Sequence, residues 1–115
     1  MIYVFLAEGF EEIEALAPVD LLRRAGLTVS TVGVTGKTVT GSHGIPVTAD
    51  ITTDQMVLDN HLEMIVLPGG MPGTRHEWES QAVQKAVDYC AAENRWIGAI
   101  SVSYTHLRAH ETAAN

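Results

Sequence analysis

Apolar and polar positions fall in blocks along this chain, and each block has its own period. Residues 2–7, IYVFLA, are apolar without a break and are followed by Gly9. That is the pattern of a short strand buried on both faces. In EEIEALAPVDLLRRAG the period becomes helical, and Ile13, Leu16, Ala17 and Leu21 form one apolar face. Glu11, Glu12 and Glu14 crowd the first turn, where negative charge complements the helix dipole, and Arg23 and Arg24 occupy the last. Gly26 ends the helix, and Pro18 inside it predicts a bend or local disruption.

LTVSTVGV reads as a second strand, and KTVTGSHGIPVTADIT as a short hairpin or irregular strands. TTDQMVLDNH reads as loop or brief helix. MIVLPGG is an apolar strand halted by Pro68, Gly69 and Gly70, and MPGTRHEWES a loop or short helical turn. SQAVQKAVDYCAAEN predicts a helix capped by Ser80, with Ala82, Val83, Ala86, Val87, Cys90 and Ala91 on its apolar side. RWIGAI closes the series as a strand. Strands alternating with helices imply an α/β domain with a mainly parallel sheet and right-handed crossovers. Residues 101–115, SVSYTHLRAHETAAN, differ in character: strand alternation runs on for a few positions and then stops. No further crossover helix and strand can be drawn there, so the expectation is one domain over 1–100, incomplete at its C-terminus, and a non-native tail over 101–115.

Composition narrows the function classes. Fourteen acidic against seven basic side chains give a net charge of -7, which disfavours nucleic acid and anionic membrane surfaces as partners. No stretch approaches the roughly 20 apolar residues of a membrane span. The apolar start lacks the basic flank of a signal peptide. One cysteine, Cys90, excludes an internal disulfide and fits a reducing compartment. A cytoplasmic location is the default expectation.

Four features invite chemistry. AEGFEEIEA follows the first strand, and a carboxylate at a strand's C-terminal edge can serve as general acid or base. Its glutamates can equally be helix-dipole partners alone. LPGGMPG, residues 67–73, lets backbone amides approach a ligand as an oxyanion site, or is simply a tight turn. Cys90 lies on a helical apolar face and reads as a structural thiol. His106 and His110 share a spacing of four, but HLRAHE is not HExxH, and His43, His61 and His76 fall in loops, so no metal site is expected.

Taken together, EGFEEIEA and LPGGMPG, with GKTVTGSHGIPVTAD and AVQKAVDYCAAENRWIGAI in order between and after them, resemble the ThiJ/PfpI superfamily over residues 1–100. This is the group that includes protein deglycase and its parkinsonism-linked relatives. The resemblance implies a flavodoxin-like three-layer α/β/α sandwich, a homodimer, and no cofactor. It implies a cysteine nucleophile at a strand-to-helix elbow acting on a reactive carbonyl or a glycated amine, in glyoxalase-like, deglycase-like, amidase or protease chemistry. Carried over, the glutamate that shares a proton with the sulfur is Glu14. The glycine pair of the oxyanion pocket is Gly69 and Gly70. The nucleophile position is Ser101, where the cysteine is lost, and Val102 replaces the small residue of the elbow. The chain as written is therefore expected to be inactive. Two alternatives stay open: a non-catalytic redox-stress or chaperone-like binding module, and a flavodoxin-like cofactor binder.

Overall fold

The computed structural model describes residues 1–100. The reading of 101–115 as a tail lies outside them, as do Ser101, His106 and His110. Five strands form a parallel sheet: β1 (Ile2–Leu6), β2 (Val29–Gly33), β5 (Ile51–Thr52), β6 (Met64–Leu67) and β7 (Trp96–Ala99). Their spatial order is β5-β2-β1-β6-β7. Two further strands, β3 (Thr38–Thr40) and β4 (Pro46–Thr48), make a separate antiparallel hairpin. The helices are α1 (Glu12–Arg24), α2 (Gly73–Glu79) and α3 (Gln81–Ala92), and a short 3-10 turn spans Thr53–Gln55.

The uninterrupted apolar run of β1 has the environment it implies. Ile2, Val4 and Leu6 face one core, with Phe10 from the loop after β1, Ala15 and Val19 from α1 and Val39 from the hairpin. Tyr3 and Phe5 face the other, with Val83, Ala86, Val87 and Cys90 from α3. Each such side chain fully buried contributes about 1.5–3 kcal/mol by transfer from water, an upper bound set by the unfolded reference. Layers of helix lie on both faces of the sheet, which is the α/β/α arrangement.

Ser80 caps α3 by accepting from the Val83 N–H at 3.3 Å. Of the apolar side predicted for α3, Val83, Ala86, Val87 and Cys90 are buried, whereas Ala91 is exposed. For α1 the expectation requires correction. The helix runs unbroken through Pro18, and the face it buries is Glu12, Ala15 and Val19. The stripe read from the sequence points outward, with Ile13 at 74% and Leu21 at 64% exposure. Two apolar stripes compete on this helix. The smaller residues are the ones that let it lie close to the sheet, and a neighbouring hairpin satisfies the charge that comes with them.

Candidate functional site

In an open parallel sheet, ligands bind outside the carboxyl ends of the strands where the strand order reverses. Here the chain runs outward from β1 to β2 and β5, then returns to place β6 on β1's other side. The switch point therefore lies between β1 and β6. Beyond it meet the loop of residues 7–11 and the turn of residues 68–73.

These two segments interlock through their backbones. The Glu11 N–H donates to the Gly69 carbonyl at 3.0 Å. Gly70 has φ +96°, and a Cβ there would lie 2.6 Å from the Glu11 nitrogen, so both its conformation and its space require glycine. The Gly69 N–H donates to Glu14 Oε1 at 3.0 Å. Glu14 and Gly69 thus meet directly, with Gly70 adjacent. The fourth residue of the sequence reading, Ser101, lies just beyond the described chain. The last described contact, the Ile100 N–H donating to the Leu67 carbonyl at 3.1 Å, is two residues before Gly69 on β6's strand.

The three acids of EGFEEIEA divide their labour. Glu11 is the helix cap: its carboxylate accepts the Ile13 N–H at 3.1 Å and the Glu14 N–H at 3.3 Å. Glu14 turns to Gly69. Glu12 enters the tip of the β3–β4 hairpin. There its carboxylate accepts the N–H of His43 at 2.9 Å and of Ile45 at 3.3 Å. The His43 ring Nδ1 lies 2.9 Å from Glu12 Oε1, and the Ser42 hydroxyl donates to that oxygen at 3.5 Å. Burial pushes the Glu12 carboxyl up, but the His43 ring and the surrounding amides outweigh it and bring it down to about 2. The hydrogen bond and the charge of Glu12 raise His43 above its ordinary 6.5. Gly41 is packed against this carboxylate so closely that a Cβ would overlap it.

Sequence reasoning missed this clamp. It placed Glu12 with the dipole partners and His43 among loop histidines. The available signal was the inward phase of Glu12 itself, which shares a stripe with Ala15 and Val19. Among the described residues, Glu11, Glu12 and His43 bring possible metal-ligand atoms within 4.8 Å of one another. Their oxygens already serve the helix end and the hairpin amides, so a cation would have to displace those bonds.

Cys90 is fully buried, and burial pushes its thiol up to about 11 against a weak opposing pull from Arg95. A thiol in that state is neither nucleophile nor metal ligand at neutral pH. Open depressions among the described residues lie elsewhere on the surface. One of about 460 Å³ lies between residues 53–58 and the start of α3, and one of about 440 Å³ lies on the outer face of α1 beside Ile45. Neither is lined by Glu14, Gly69 or Gly70.

The sequence profile of the DJ-1/PfpI family matches residues 1–115. The Parkinson disease protein 7 homolog of Danio rerio is 34% identical over 111 residues, covering 96% of this chain and 59% of that protein. A deglycase of Pyrococcus horikoshii is 34% identical over 80 residues, covering 70% of this chain and 48% of its own length. Among solved structures, that of Drosophila melanogaster DJ-1beta superposes with a TM-score of 0.88 at 32% identity, covering 96% of this chain and 59% of that one. The chain thus spans about three-fifths of the zebrafish and fly proteins.

Proposed function

The chain belongs to the DJ-1/PfpI family, and we propose that it carries the acid and backbone-amide part of a thiol-dependent site for reactive carbonyl or glycated substrates. The observation that carries this reading is Glu14 Oε1 seated on the Gly69 N–H at the β1–β6 switch point. With Oε1 so held, Oε2 is the oxygen assigned to the shared proton. A thiol at position 101 would transfer its proton toward Glu14, attack the carbonyl carbon as thiolate, and leave negative charge on the carbonyl oxygen. Because the Gly69 amide is committed to Glu14, the Gly70 amide is the one assigned to that oxygen. The deglycase name of the Pyrococcus relative supports the substrate class.

Ser101 cannot play the thiol's part, since a serine hydroxyl is a far weaker acid than a thiol and a carboxylate such as Glu14 is too weak a base to make it a nucleophile. The chain as written is therefore proposed to be catalytically silent, with no cofactor. A cytoplasmic location accords with the lack, among the described residues, of any helix long and apolar enough to cross a membrane. A homodimer accords with the outward apolar stripe of α1, which a second copy would cover.

Ser101→Cys tests the site reading. Cys90 is buried with its thiol at about 11, so it does not compete for a soluble alkylating agent. The pH dependence of iodoacetamide alkylation should show the introduced thiol titrating at least about one unit below the ordinary ~8.5. An ordinary titration would show that no thiol-activating site exists at this point.

A further inference from the structure

Of the three acids at the start of α1, one caps and one faces Gly69, and the third has no part in the proposed chemistry. Yet Glu12 is the most elaborately satisfied group among the described polar side chains near the site. Its carboxylate accepts from the His43 and Ile45 amides and the Ser42 hydroxyl and engages the His43 ring, all from one hairpin tip.

That tip rests on the segment that forms one wall of the site. The Ser42 N–H donates to the Phe10 carbonyl at 2.7 Å, and the Gly9 N–H donates to the Thr40 carbonyl at 2.9 Å. The Thr40 N–H donates to a Glu8 carboxylate oxygen at 3.1 Å. The 68–73 turn presses on the same segment: Cβ atoms at Gly70 and Gly73 would meet the Glu11 and Phe10 nitrogens at 2.6 and 2.8 Å. Residues 8–11 are therefore held both by the hairpin tip and by the turn that carries Gly69.

We infer that Glu12 is a positioning residue: by holding the hairpin tip against residues 8–11, it keeps Glu14 seated on the Gly69 amide. The inference rests on the reading of Glu14 as the working acid. Its test does not use activity, however, so the two can fail separately.

Amide hydrogen exchange in the intact chain follows His43, Ile45 and Gly69 together. Glu12→Ala removes every acceptor. If Glu12 positions the site, exchange at all three amides rises by about tenfold or more, because the local opening that exposes the hairpin also frees Gly69. Glu12→Gln is the conservative rescue: its carbonyl still accepts the two amides, and its N–H can donate to a neutral His43 ring. It should restore protection near pH 8 and lose it below roughly pH 6, where the imidazolium faces an amide N–H in place of a carboxylate. Among the described residues, the other charged group facing His43 is Glu11, whose Oε1 lies 4.0 Å from its ring. It is not altered in these variants.

Joint loss of protection at the hairpin and Gly69 supports the inference. Opening of His43 and Ile45 with Gly69 unchanged, in either variant, overturns it and leaves Glu12 a hairpin anchor only. If Glu12→Ala fails to fold, the acid arm of Glu12→Gln reads the same alternatives.

Discussion

Glu12 and His43 make stability depend on pH in a way whose sign is fixed. The carboxyl is held below its ordinary 4.5, at about 2, so its contribution is present above 4.5 and lost as pH falls toward 2. The imidazole is raised above 6.5, so its contribution is present below 6.5 and lost as pH rises through the raised value. The clamp contributes most between those limits. The Tm difference between the native chain and Glu12→Gln should therefore be largest at about pH 5.5 and shrink both near pH 8 and near pH 3. A difference that does not change with pH would contradict the ion-pair account. The residue scale is also where the sequence told least about the site. Glu14 and the glycine pair were proposed through a resemblance resting on EGFEEIEA and LPGGMPG. The role of Glu12 was hidden because its partners lie some thirty positions away, in a hairpin whose packing no local pattern specifies.

Elements were more legible, and the reason is burial. β1 and β6 are short and continuously apolar because the layers packed on the two sides of the sheet cover both their faces. The hairpin and α3 followed from turn residues, alternation and a capping serine. α1 misled because two stripes are available to it. The larger side chains, Ile13 and Leu21, lie on the side that this chain leaves uncovered. A direct comparison separates the faces. Leu67→Ala, at a site of 0% exposure in the core against α3, should cost about 2–5 kcal/mol in urea unfolding. Ile13→Ala at low protein concentration should stay within about 0.5 kcal/mol of the native chain. Equal losses would mean that α1 is packed by its larger stripe after all.

For the whole molecule, strand order matters more than any single element. The return of the chain to β1's far side creates one crevice and delivers to it an acid from α1, an amide from the end of β6 and the outgoing end of β7. Alternating strands and helices implied such a sheet, but only the pairing register fixes which ends meet there. The outward stripe of α1 belongs to this scale too. If a second copy covers it, Ile13→Asp should convert a dimer to a monomer in light scattering without unfolding the chain, whereas unchanged assembly would place the contact elsewhere. The central claim is that Glu14, held by Gly69, exists to activate a sulfur at the next position beyond Ile100. The most direct measurement is the alkylation pH profile of Ser101→Cys with and without Glu14→Gln. The account predicts a thiol titrating at least about one unit below ~8.5 with Glu14 present and returning to the ordinary range without it. Identical profiles in the two backgrounds would contradict it.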